Sequence, residues 1–348
     1  MRVAFVYPNP REELARQVAA GNAPDTALLG QNHLAGFGIE SFVYDSALRR
    51  VHATHGLAHR ATWIAREATL PWELRKADIV VTPLVNLLPL FARLQRRPRV
   101  LVISYGTASL WARASRPRRA LLGASLKAAA GIVTISEAGR DRLIRDIGVD
   151  ASRVQSVPFG IDEAFWRAAP PASQGHVLTV GRDLARDYET FAEALDGLPV
   201  RAVVVAKDEN LRGVRLPPNV EVRAHIPLEE LRQLYADAAC VVVPMVRDGD
   251  PRGTESSGNT ALLEAMACGR ATVVTDRASL REYIYADATV TTPPQDPVAL
   301  KAAIERLIDG PEETAAMGAA ARRHVVERHT TTHFAELLSG IITQVGAR

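Results

Sequence analysis

Short apolar runs and longer amphipathic stretches alternate along nearly the whole chain. VAFVY (3–7), ESFVY (40–44), ADIVVT (77–82), RVLVIS (99–104) and GIVTIS (131–136) are rich in Val and Ile. Runs that are apolar at consecutive positions, with helical patterns between them, predict strands of a parallel sheet covered on both faces. The helical patterns are TALLGQNHLAGFG (26–38), LLPLFARLQ (87–95), one long stretch through about 130, and SEAGRDRLIRDIG (136–148). In the last, Ser136, Glu137 and Gly148 signal both helix ends. VQSVPFGIDEAFWRAAPPASQG (154–175), with its prolines and polar tail, reads as a connection. The alternation then restarts with strands at 176–181, 200–206, 219–224, 240–244, 271–275 and 288–292. Helices are predicted over 188–195, 228–238, 296–308, 311–328 and about 332–345. The fold class is α/β, with two successive doubly wound, Rossmann-like halves.

Length fits this division, since 348 residues suit two domains better than one core. With 47% hydrophobic and only 5% aromatic residues, the core must be mostly aliphatic. No apolar run approaches the roughly 20 residues of a membrane span, and the apolar start is too short for a signal peptide. The expected compartment is the cytoplasm. Cys240 and Cys268 fall on a strand-like and a helix-like run, so both read as buried small residues. The net charge of +3 conceals an asymmetry: residues 1–160 carry 22 Lys+Arg against 12 Asp+Glu, and the remainder 20 against 27. Such segregation speaks to partners rather than to fold.

One stretch carries chemistry. CVVVP (240–244) ends a strand, and a loop with Gly249, Gly253 and Gly258 leads into the helix NTALLEAMA. In strand–loop–helix units ligands bind beyond the carboxyl ends of the strands. The start of the helix, at Gly258, Asn259 and Thr260, offers free N–H groups and the positive end of the dipole to a phosphate. Leu262, Leu263, Met266 and Ala267 share an apolar arc, and Glu264 falls outside it on the side of Thr260. Side chains lean toward the helix start, so the Glu264 carboxylate is expected to face the loop. Either it accepts hydrogen bonds from hydroxyls such as a ribose diol, or it only complements the helix dipole.

TALLEAMACGRATVVTD resembles the signature of the retaining GT-B glycosyltransferases, family 4 in particular. ISEAGRDRLIRDIGVDASRVQSVPFGID (135–162) is similar to that family's interdomain segment, and VGRDLARDYETFAEAL (180–195) to its first βα turn in the second domain. The resemblance implies two Rossmann-like domains facing a cleft: an acceptor domain at 1–162, a nucleotide-sugar donor domain at 163–329, and a last helix (about 330–348) packed back on the first. It implies a ribose contact for Glu264 and a diphosphate contact for Arg182, which follows Gly181 at the end of VLTVG. The family's later lysine is missing, and Arg186 is the nearest candidate. Arginine can make such phosphate contacts in bidentate form. The family pattern has a second glutamate eight positions before the one matching Glu264, where this chain has Ser256. Glu255 lies one residue further away, so either Glu255 reaches the transferred sugar or Ser256 and Asn259 serve there. Lys207, at the end of VRAVVVA, lies either near the nucleotide or in an exposed loop. In the first half the usual histidine and double glycine are absent. Tyr105 and Thr107 are candidates to line the acceptor site, or they belong to a plain loop. Gly21 is the nearest match to the double glycine, within a first βα loop spanning 7–26. His33, His52, His55 and His59 show no metal-ligand pattern and read as surface or capping residues.

The implied reaction moves a sugar from a nucleoside-diphosphate donor, UDP- or GDP-linked, to an acceptor hydroxyl with retention. The leaving phosphate takes the acceptor proton, so no triad is required and the protein supplies positioning and charge. No metal or cofactor is expected. Arg182, Arg186 and Glu255 are the catalytic candidates. The basic first half, with Arg93, Arg96, Arg97, Arg99 and the Trp111–Lys127 stretch, suits an anionic or lipid-linked acceptor and peripheral contact with the inner membrane face. A solvated basic face is the plainer account. Nucleic acid is not expected, because no binding motif accompanies the charge. The alternative function is a degenerate GT-B domain that binds nucleotide or a protein partner without catalysis.

Overall fold

The computed structural model describes residues 1–45, 57–83, 86–170 and 175–347, with side chains from residue 64 onward in the second of these stretches. The chain divides into two compact units, Met1–Pro158 with Thr331–Arg348, and Phe159–Thr330.

The first unit is built from β1 (Arg2–Phe5), α1 (Glu12–Ala19), β2 (Glu40–Val43), α2 (Leu57–Glu73), β3 (Ile79–Pro83), α3 (Leu88–Leu94), β4 (Arg99–Ser104), α4 (Thr107–Arg113), α5 (Arg116–Ala128), β5 (Gly131–Thr134), α6 (Glu137–Arg142) and β6 (Val154–Ser156). The second contains β7 (His176–Val180), α7 (Tyr188–Leu195), β8 (Ala202–Val205), β9 (Val220–Arg223), α8 (Leu228–Asp237), β10 (Ala238–Val243), α9 (Asn259–Ala267), β11 (Thr272–Thr275), β12 (Thr289–Thr292), α10 (Pro297–Asp309) and α11 (Pro311–Arg328). The last helix, α12 (Thr331–Ala347), returns to the first unit, where it packs on β3, β4 and β5. Each unit holds a six-stranded, all-parallel sheet, ordered β2-β1-β3-β4-β5-β6 and β12-β11-β10-β7-β8-β9. These are the two doubly wound α/β halves expected.

Burial on both faces explains the consecutive apolar runs. In β10, Val241 and Val243 enter the cluster under α8, α9 and α11, while Cys240 and Val242 enter the cluster under α7 and α10. Both cysteines are buried and free, and desolvation pushes each thiol up to about 12. Two arginines, of which Arg270 is buried, stitch the start of the second unit to its core. Arg322 donates to the carbonyls of Glu163, Trp166 and Ala267 at 2.9, 3.0 and 2.8 Å, and Arg270 donates to those of Ala169, Pro170, Ala238 and Cys268.

Four local expectations are corrected. Residues 26–38 form two 3-10 turns, Asp25–Leu28 and Gln31–Phe37, rather than an α-helix, because Leu29 and Gly30 lie in the left-handed region between them. The long helix before 130 is two helices: Ala114 and Ser115 are extended, and Pro117 restarts the pattern as α5. The first βα loop contains α1, which buries no residue. The connection at 154–175 begins as β6, paired with β5. The expected cap of α6 is present, with Ser136 Oγ accepting from Gly139 N at 3.1 Å.

Close helix packing in the second unit depends on Gly318, where a Cβ would stand 2.2 Å from the Gly269 carbonyl oxygen; one on Gly340 would meet nothing within 4 Å. Gly318→Ala should therefore cost about 2 kcal/mol or more. Gly340→Ala, in the interior of α12, should be neutral or add about 0.5–1 kcal/mol. Urea titrations of both variants check this pair.

Candidate functional site

The residues of interest in the second unit follow the carboxyl ends of β7, β8, β10 and β11. β7 runs into Gly181, whose carbonyl accepts from Tyr188 OH at 2.7 Å. A Cβ on Gly181 would lie 2.0 Å from Arg186 Nε, so the glycine leaves the space that the guanidinium fills. The Arg186 side chain is only 4% exposed, and its Nε donates to Asp183 Oδ2 at 3.1 Å. Its Nη1 lies 3.4 Å from Met245 Sδ, and its backbone bridges that of Met245. Arg182 behaves differently, being exposed with no hydrogen bond or ion pair among the described residues. Lys207, after β8, pairs with Glu209 at 3.2 Å. Asn210 accepts from Lys207 N at 3.2 Å and donates to Asp183 O at 3.1 Å, which ties this loop to the one after β7.

Beyond β10, Met245 N donates to Thr275 Oγ1 at 2.9 Å, joining the ends of β10 and β11. Arg277 is buried and braces the following loop, with Nε on Asp248 Oδ1 at 3.1 Å and Nη2 on Thr254 O at 3.3 Å. Thr254 Oγ1 lies 3.2 Å from Ser256 Oγ and 3.0 Å from Ser257 Oγ. Glu255 is buried between them in sequence, whereas Ser256 is partly exposed. Gly258 has φ +99°, and a Cβ there would meet Met245 Sδ at 3.3 Å and Val243 Cγ1 at 3.4 Å. Conformation and crowding both require glycine at this point. Asn259 is buried and Thr260 is exposed.

Glu264 Oε2 accepts from Tyr235 OH on α8 at 2.9 Å. The apolar surface of α9 is not a single arc, since Ala261, Leu262, Leu263, Ala265, Met266 and Ala267 are all buried. Burial raises the Glu264 pKa from 4.5 to about 7, and the Tyr235 hydrogen bond and the Arg186 charge hold it from rising further. Burial and the neighbouring carboxylate push the Tyr235 hydroxyl well above its ordinary value, so it remains a donor. Tyr235 was not foreseen. It sits in an ordinary amphipathic pattern, and nothing in sequence links positions 29 residues apart. Arg277 carried no signal either. The group can hold a hydroxyl pair at Glu264, with the positive charge of Arg186 beside it.

In the first unit, Tyr105 is half-buried after β4, and burial raises its pKa. Arg11 lies near it and over the Tyr7 ring at 5.6 Å, which makes Tyr7 and Arg11 further residues at that end of the sheet. Thr107 is fully buried at the start of α4. Gly21 ends α1 with φ +73°, the Gly21 and Asn22 amides donating to the Val18 and Gln17 carbonyls at 2.9 Å each. His33 keeps 30% of its side chain exposed, and its Nε2 lies 2.5 Å from Asp25 Oδ2, which also accepts from Thr331 Oγ1 at 3.1 Å. His52, His55 and the His59 side chain lie outside the described residues. Among the described residues no three His, Cys, Asp or Glu gather as a metal site, and no helix is long and apolar enough to cross a membrane.

The family model described as "Glycosyl transferases group 1" matches residues 175–310, and that described as "Glycosyltransferase Family 4" matches residues 40–165. The chain belongs to the family 4 glycosyltransferases. No curated protein matches it by sequence. Its fold is GT-B, as similar solved structures show. Sucrose-phosphate synthase from Thermosynechococcus elongatus superposes with TM-score 0.74 at 18% identity, covering 100% of this chain and 99% of that one. Anabaena HepE in complex with UDP-glucose gives 0.70 at 14% identity, covering 99% and 100%. A glycosyltransferase from Rickettsia africae gives 0.68 at 12% identity, covering 99% and 98%.

For this transferase the Glu264 environment makes a direct prediction. An NMR titration of Glu264 in the ligand-free protein should give a pKa near 7, because burial disfavours the ionised carboxylate. Arg186→Met and Tyr235→Phe should each raise it, because each removes an interaction that favours the ionised carboxylate. A raised carboxyl pKa also means that its share of stability is full below the unfolded value and is lost as pH rises through about 7.

Proposed function

We propose that this chain transfers a sugar from a nucleoside-diphosphate donor to an acceptor hydroxyl, with retention of anomeric configuration and without a metal ion. The observation that carries the reading is Glu264: a carboxylate on an otherwise buried helix, steadied by Tyr235 at 2.9 Å and placed beside the Arg186 charge. An ionised carboxylate so held accepts two hydroxyl hydrogens from a ribose diol. The amides at the start of α9, after Gly258, are the donors for a phosphate.

In this reading Arg182 and Arg186 divide the work. Arg182 is exposed and without a partner among the described residues, so its guanidinium is available to the diphosphate. Arg186 is anchored by Asp183 and supplies fixed positive charge. Lys207 adds to that charge, and Glu255, with Ser256 and Asn259 nearby in sequence, meets the transferred sugar. Tyr105, Thr107 and Gly21 belong to the acceptor side. The sugar–phosphate bond breaks as the acceptor oxygen bonds to the same face of the anomeric carbon, and the acceptor proton passes to the departing phosphate oxygen. The protein stabilises the charge that develops on that phosphate. Because HepE was solved with UDP-glucose, a UDP-sugar is the first donor to test, with a GDP-sugar next.

Donor turnover tests this reading. Released nucleotide should be measurable with UDP-glucose or GDP-mannose, and Glu264→Ala and Arg182→Ala should each reduce it by about 100-fold. Between pH 6 and 8 nucleotide affinity should rise, since the diol requires the ionised carboxylate, and the rise should vanish in Glu264→Gln. A product of inverted configuration would remove retention. Absence of binding by UDP and GDP would favour a partner-binding domain instead.

A further inference from the structure

The amino-terminal edge of the first sheet carries a feature that the proposed reaction does not use. A recess of about 850 Å³ opens beside the starts of β3 and β4 and the end of α12. Its wall includes Arg75, Lys76, Arg96, Arg97 and Arg99, with Asp78 the carboxylate among them. None of the five cations forms an ion pair among the described residues, and Asp78 Oδ2 is engaged by the Arg2 backbone amide at 2.8 Å. Arg99 is oriented by the carbonyls that end α12, those of Val345 and Gly346. Tyr105 and Arg11 lie at the opposite, carboxyl end of the same sheet.

Two large apolar side chains stand beside this charge. Trp72, at the end of α2, is 65% exposed and Leu94, at the end of α3, is 71% exposed. The Arg75 guanidinium lies over the Trp72 ring at 4.4 Å. Gln95 Nε2 donates to Ala68 O at 2.9 Å, so the two helix ends sit side by side. Folding leaves these residues in water, where cations and an exposed indole together match the boundary between lipid headgroups and chains.

Arg96 adds an independent argument. It has φ +61°, and the amides of Arg96 and Arg97 donate to the carbonyls of Arg93 and Ala92 at 3.2 and 3.1 Å. This is the helix-ending arrangement whose left-handed position favours glycine. The ends of α1 and α9 use the same arrangement with Gly21 and Gly269. An arginine here costs backbone stability and gives one more cation at the rim of the recess.

We propose that this pole of the first unit docks on an anionic lipid surface, with Trp72 and Leu94 entering the headgroup region and the cations holding phosphates. Sedimentation of the full chain with sucrose-loaded vesicles tests it without any reference to activity. The chain should bind phosphatidylcholine vesicles containing about one-third phosphatidylglycerol and not pure phosphatidylcholine. Arg96→Glu with Arg97→Glu should weaken binding by about 25-fold or more, and Trp72→Ser by about 5-fold. Arg96→Gly should weaken binding by about 5-fold while raising the thermal midpoint, which separates docking from folding. A matched charge reversal on α5, Arg116→Glu with Arg118→Glu, should have less effect than the Arg96 and Arg97 pair. No binding to the anionic vesicles, or an equal loss from the α5 pair, overturns the proposal.

Discussion

The second unit is organised around one costly group, the Glu264 carboxylate on a helix that is otherwise packed in the core. An ion in that setting is tolerated only where hydrogen bonds and opposite charge offset its lost hydration. Tyr235 supplies the bond from α8, and Arg186 supplies the charge from the loop after β7. Each requirement propagates. Arg186 must reach inward, so Gly181 must lack a side chain; α9 must start close against Val243 and Met245, so Gly258 must lack one too. The strand ends are coupled in turn by Thr275 to Met245 and by Asn210 to the Asp183 loop. A surface helix with a dipole-balancing glutamate would need none of these.

The fold was legible because a parallel sheet imposes a strong pattern. β4, α7 and α11 occupy the spans that their apolar runs and periodicities predict, since burial on both faces leaves few ambiguous positions. Sequence reasoning failed where local conformation overrode the pattern. Residues 26–38 have helical spacing but also Gly30, Gly36 and Gly38, and the chain turns left-handed at Leu29 and Gly30. Pro117 split a continuous pattern into α4 and α5.

The candidate site was legible to the depth of single motifs. Glu264 and the loop that precedes it stand out in the sequence, because a lone carboxylate interrupts an apolar helix. Its partner did not follow, since Tyr235 reaches it from a different helix. The two arginines also looked equivalent on paper, yet only Arg186 has the missing Cβ of Gly181 to fold over, and Arg182 is left in water. Pairings between distant residues, including those of His33 with Asp25 and Thr331, have no local signature.

The central claim is that Glu264 receives the ribose of the donor. Calorimetry with UDP and with 2′,3′-dideoxy-UDP, on the wild type and on Glu264→Gln, addresses it most directly. A group that accepts two hydroxyl hydrogens should make the wild type bind UDP at least about 10-fold more tightly than the dideoxy nucleotide, and the variant should bind the two alike. Equal binding of both nucleotides by the wild type, or undiminished discrimination by the variant, would contradict the account.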